Sequence, residues 1–135
     1  MSMSRRGVLI AALVAVVLIT IGIGLRMVGS PGEARLRRFD EQRVNDLRAL
    51  ASAIGAYHAS RKRLPSDLAE ITAWPDHPVT LRDPGNNVPY TYRLVDSAAY
   101  ELCATFARPS EAELSVDRGF WAHPEGAHCY RVAVE

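Results

Sequence analysis

The sequence predicts an α+β protein: an N-terminal transmembrane helix, then a long amphipathic helix packed on a small antiparallel sheet. Three observations carry this. The nineteen residues that open at Gly7 and close at Leu25 hold no charge, apolar residues recur every three or four positions from Leu36 to Tyr57, and the C-terminal half contains short runs of alternating character. Helical periodicity followed by strand periodicity is the order found where a helix covers one face of an antiparallel sheet.

The uncharged run comes first. At about 1.5 Å per residue it matches the roughly 30 Å hydrocarbon core of a bilayer. Val8, Leu9, Ile10, Leu13, Val14, Val16, Val17, Leu18, Ile19, Ile21 and Ile23 leave no polar stripe of the kind a water-facing helix shows. We expect a basic flank over residues 1–6, a transmembrane helix over 7–28 and a break over 29–32. A cleaved secretory signal is the alternative, with Arg5 and Arg6 as its basic start, but the core is long and no Ala-x-Ala site follows. Orientation is ambiguous by charge. Arg5, Arg6 and the α-amine flank one side and Arg26, Arg35, Arg37, Arg38 and Arg43 the other, so a plain count favours a cytoplasmic C-terminal domain. Glu33, Asp40 and Glu41 stand among those distal arginines, and acids count for little in that rule.

Residues 33–135 are expected to form one small domain, too short for two cores. They carry 13 basic and 15 acidic side chains, a near-neutral balance with no electrostatic case for nucleic acid. Ser30-Pro31-Gly32-Glu33 reads as a capping box: Ser30 caps, Pro31 suits the first helical position and Glu33 reaches back. A second helix therefore starts there, with a kink expected at Pro31. Leu36, Phe39, Val44, Leu47, Leu50, Ala51, Ile54 and Tyr57 form its inner stripe, and Arg35, Arg38, Glu41, Asn45, Arg48 and Ser52 its solvated face. Leu64-Pro65 ends it. Ser66 is expected to cap a short helix containing Leu68 and Ile71, closed by Trp74-Pro75. Residues 76–87, rich in Pro, Gly, Asp and Asn, read as loop. Residues 90–94 and 100–106 alternate as hairpin strands about an Asp96-Ser97-Ala98 turn, and 129–134 form a last strand. Residues 108–127 read as an irregular excursion with a short extra strand from Arg118 to Trp121.

The long helix reads Asp40-x-x-Arg43-x-x-Asp46-Leu47-x-x-Leu50-x-x-Ala53-Ile54-x-x-Tyr57. Leu64-Pro65-x-x-Leu68-x-x-Ile71, Asp83-Pro84 and Pro89-Tyr90-x-Tyr92 follow. Over residues 35–107 this succession resembles the type IV pilin-like superfamily, and within it the major pseudopilin of type II secretion systems. The resemblance implies a membrane helix that runs into an amphipathic half, which packs on a small sheet outside the bacterial inner membrane, in the periplasm. It also implies a structural or accessory role in secretion or pilus assembly, with membrane or secretion-system proteins as partners. Two departures modify that expectation. The prepilin peptidase motif is absent, since Arg6-Gly7 is followed by Val8-Leu9-Ile10 with neither Phe nor Glu. Arg118-Gly119-Phe120-Trp121-Ala122-His123 stands where the family's acidic calcium loop is expected. Together they point to an anchored monomer in place of a fibre subunit.

Cys103 and Cys129 lie in two strands. If those strands are neighbours, a disulfide forms within the Cα separation of about 7 Å that such bonds need, stabilising the fold by roughly 3–4 kcal/mol in the chain-entropy model and implying an oxidising compartment. The alternative is two unrelated buried thiols. His123, His128 and Cys129 match no zinc spacing, and neighbours in a strand face opposite ways. His58 suits the helix C-terminus. Ser66, Asp67, Asp76, His77 and His123 include hydrolase residue types with no nucleophile elbow to order them. No catalysis and no cofactor are expected. Trp121 is the candidate partner contact, and residues 7–25 the contact with lipid. The competing functional expectation is a free-standing envelope domain for ligand binding or sensing, unconnected to secretion.

Overall fold

The computed structural model describes residues 5–27, 30–73, 78–110 and 119–134. The chain divides into two compact units, Met1–Arg35 and Leu36–Glu135.

Helix α1, Arg5–Met27, contains no buried residue and is long and apolar enough to cross a membrane by length and composition. Its one hydroxyl within the apolar run, Thr20 Oγ1, donates to the carbonyls of Val16 and Val17 at 3.1 and 2.8 Å. A side chain satisfied by its own helix is compatible with hydrocarbon, where water is absent.

Helix α2, Pro31–Arg61, begins as its cap residues dictate. Ser30 Oγ accepts from the Glu33 amide at 3.2 Å and Pro31 takes the first helical position. The expected kink turns on residues 28–29, which lie outside the described residues. At its far end Lys62 adopts a left-handed φ of 57° while its amide donates to the His58 carbonyl at 2.7 Å, closing the last turn. The chain then drops into the core at Leu64 and Pro65.

Helix α3 is a single turn, Ala69–Thr72. Its cap differs from expectation. Asp67 Oδ1 accepts from the Ala69 and Glu70 amides at 2.8 and 3.2 Å, while Ser66 Oγ instead donates to Glu70 Oε1 at 2.5 Å. The carboxylate outcompetes the hydroxyl for two backbone donors, because a charge-assisted acceptor is the stronger one. Closure at Trp74-Pro75 lies outside the described residues.

Strands β1 (Thr91–Leu94), β2 (Ala99–Phe106) and β3 (Gly126–Ala133) form one antiparallel sheet in the order β1-β2-β3. The hairpin turn is held by Asp96 Oδ1 accepting from the Ala98 amide at 2.8 Å. β3 starts three residues earlier than the sequence suggests, at Gly126, whose φ of 97° only glycine takes up without strain. Alternation along β2 turns Tyr100, Leu102, Ala104 and Phe106 inward. They meet Leu47, Leu50, Ile54 and Tyr57 of α2, with Leu64, Leu68 and Ile71 closing one end of the core and Tyr90 and Tyr130 flanking it. One face of the sheet is thus covered by α2, the layered α+β arrangement expected.

The extra strand expected from Arg118 to Trp121 is not formed by its described part. Residues 119–121 make a helical turn, closed by the Ala122 amide donating to the Gly119 carbonyl at 3.3 Å. The turn seats the indole of Trp121 4.8 Å from the Tyr130 ring and offers its carbonyl to the Tyr130 hydroxyl at 2.9 Å. In the loop expected over 76–87, described from residue 78, Asp83 organises a tight turn over 84–86.

Candidate functional site: a buried charge cluster and an open cleft

The inner side of α2 carries charge as well as hydrocarbon. Asp40, Arg43 and Asp46 repeat every third residue, so they stack on one side of the helix, and all three are buried. Arg43 reaches across the fold to Asp83 in a two-pronged contact, Nε to Oδ2 at 2.5 Å and Nη2 to Oδ1 at 2.9 Å, while Nη1 donates to Asp40 Oδ1 at 2.6 Å. Asp40 also accepts from the Ala107 and Arg108 amides at 2.9 and 3.0 Å, just past the end of β2. Asp83 accepts from the amides of Gly85 at 2.7 Å and Asn86 at 3.3 Å. Asp46 accepts from Gln42 at 2.9 Å and from the Tyr90 hydroxyl at 2.8 Å.

The electrostatics follow from these partners. The hydrogen bond to Asp83 raises the Arg43 guanidinium above its ordinary value against the opposing effect of burial. Burial pushes Asp83 upward, but Arg43 and the amides of Gly85 and Asn86 outweigh it and hold the carboxyl below its usual value. Burial, then the bond to Asp46, raises the Tyr90 phenol, so it serves as a donor. A Cβ at Gly85 would stand 2.9 Å from Arg43 Nη2 and 3.2 Å from Asp83 Oδ1, so glycine there lets the turn close on the ion pair. Each of these carboxylates already accepts from guanidinium, amide or hydroxyl donors. The cluster is a clamp that fixes the 83–86 turn and the β2 exit to the helix, and nothing in it is poised as a nucleophile or base.

A second such point lies at the α2–α3 junction. Glu70 accepts from Arg63 Nη2 at 2.7 Å, from the Ser66 amide at 2.8 Å, and from the Ser66 and Tyr57 hydroxyls. Arg63 first, then Ser66 and Tyr57, hold its carboxyl far below the usual range.

An open cleft of about 610 Å³ lies between the side of α2 and the segments that leave β2 and lead to β3, lined among others by Val44, Arg48, Arg108, Trp121 and His123. Trp121, the expected partner contact, is half-buried at this cleft, with the Arg48 guanidinium 5.8 Å from the indole centroid. Its neighbour Phe120 is the more exposed ring at 49%. Pairing with Trp121 in a polar excursion was its only sequence signal. His123 is buried, stacked on Phe106 at 3.6 Å between centroids, and tied through its amide to Ser110 Oγ at 3.0 Å. Burial pushes its imidazole below the ordinary value, toward the neutral form.

The remaining candidates separate. Cys103 and Cys129 are directly opposite in the β2–β3 register and form a disulfide with their Cα atoms 4.0 Å apart. His128 packs edge-on against Tyr130 at 4.7 Å, and no group of three or more potential metal-binding side chains assembles among the described residues. Ser66 and Asp67 are engaged around α3 and border a different cleft from His123, while Asp76 and His77 lie outside the described residues. His58 sits half-buried near the end of α2. No protein-family model, curated protein or solved structure matches the chain.

Proposed function

We propose that the protein is a single-pass membrane-anchored, pseudopilin-like component of the bacterial inner membrane, its domain facing the periplasm and working by protein contact without catalysis. Its role is structural or accessory in the cell envelope, in or beside a type II secretion or pilus apparatus. The observation that carries this is one chain joining an unburied apolar helix, α1, to an amphipathic helix packed on a three-stranded antiparallel sheet. Residues 7–25 supply the contact with lipid.

The disulfide supports the periplasmic orientation against the plain arginine count, because such bonds persist in oxidising compartments. The buried clamp suits a scaffold more than an enzyme: its charges are spent on holding loops to the helix. Crosslinking of the full chain in native membranes, read by mass spectrometry, tests the reading. Recovery of secretion or pilus components supports it, and recovery of none counts against it.

The cleft between α2 and Trp121 favours a second reading, a free-standing envelope domain that binds a small ligand or senses the envelope. Its 610 Å³ falls within the range of small-molecule sites, and it combines an indole, a neutral imidazole and guanidinium groups. A small-molecule ligand that protects Trp121 fluorescence from quenching in the isolated membrane protein would favour this second role.

A further inference from the structure

The disulfide occupies the face of the sheet that the core does not use. Along β2 the residues between the buried ones are Glu101, Cys103 and Thr105. The register places Thr91, Cys103 and Cys129 in one row, with Arg93, Glu101 and Arg131 in the next row and Thr105 and Ala127 on the other side. Cys129, Thr91, Thr105 and Ala127 are exposed and Cys103 is half-buried. A reagent approaching the sulfurs from solvent therefore meets only short side chains on two sides.

The strands that this bond joins are already held without it. β2 and β3 pair over eight register positions from Ala99↔Ala133 to Phe106↔Gly126, and the Val134 amide donates to the Ala98 carbonyl at 2.8 Å. The hydrophobic core and both charge clusters lie away from the disulfide's face. The bond can open without taking those contacts with it.

We propose that Cys103–Cys129 is a thiol–disulfide exchange site, open in the folded protein to a dithiol partner. A thiolate of the dithiol attacks Cys129 Sγ, the more exposed sulfur. The Sγ–Sγ bond breaks and Cys103 leaves as a thiolate that takes up a proton. The partner's second thiol then attacks its own sulfur in the mixed disulfide and releases Cys129. Two electrons pass to the protein, and the dithiol becomes a disulfide. This holds whether or not the domain joins a secretion apparatus.

The test uses the full chain in detergent micelles, with dithiothreitol as the probe and maleimide mass tagging of released thiols. Native reduction is expected to run within about tenfold of the rate in denaturant, since accessibility and not unfolding limits it. The near-ultraviolet signal of the Trp121 and Tyr130 cluster is expected to persist as both tags appear. Ala127→Trp, placing a large side chain beside the sulfurs, is expected to slow native exchange and leave the denatured rate unchanged. Reduction that waits for unfolding, or loss of the aromatic signal in step with thiol release, would show a structural staple and overturn the proposal.

Discussion

Arg43 and Asp40 tie α2 to parts of the chain far along the sequence: Arg43 to Asp83, 40 residues on, and Asp40 to the Ala107 amide, 67 residues on. Removing the guanidinium leaves two carboxylates buried without their cation, which costs about 3–5 kcal/mol for a broken buried pair. We therefore expect Arg43→Leu to lower the denaturant midpoint of the domain sharply, measured by tryptophan fluorescence. Asp83 adds a pH dependence with a definite sign. Its folded value lies below the unfolded one, so its contribution is complete above the ordinary carboxyl value of about 3.9 and is lost as pH falls below that. Asp83→Asn should flatten the acid limb of stability against pH, and an unchanged limb would assign acid sensitivity elsewhere. Only part of this cluster is legible in the sequence. The spacing of Asp40, Arg43 and Asp46 puts them on one side of a helix, but nothing local identifies Asp83 as the partner that makes burial tolerable. Charged residues are ordinarily solvated, and only a long-range pairing reverses that.

At the scale of elements, periodicity is the reliable signal and local competition the unreliable one. The expected stripe is buried from Leu47 to Tyr57, while Phe39 and Val44 are half-buried and Leu36 is exposed, beyond the reach of the sheet. The alternation along residues 100–106 forms the facing side of the core, because burial rewards those spacings directly. The Ser30 cap also reads correctly, its geometry being set within four residues. At α3, two adjacent residues can each cap, and the outcome depends on Glu70, which draws Ser66 away. We expect Asp67→Ala to cost about 1 kcal/mol as a lost cap and to exceed the effect of Ser66→Ala, compared by thermal melts of the two variants. The helical turn at residues 119–121 was hidden for a similar reason: its shape follows from seating Trp121 on Tyr130, a contact invisible to a window of neighbouring residues.

At the scale of the molecule, composition argues most strongly for a membrane. α1 has no face for water and no buried residue, whereas α2 buries one side between Asp40 and Tyr57 and leaves the other to solvent. Two helices of one chain thus match two different solvents. The disulfide supports the proposed periplasmic orientation, since a cytoplasmic location would keep Cys103 and Cys129 reduced. If α1 spans the bilayer, alkaline carbonate washing should leave the chain in the membrane pellet, and release into the supernatant would remove the anchor. The most direct test of the central claim is a pair of reporter fusions placed after Glu135, one active only in the periplasm and one only in the cytoplasm. A domain facing the periplasm gives activity from the periplasmic reporter alone, and activity from the cytoplasmic reporter alone would contradict that orientation.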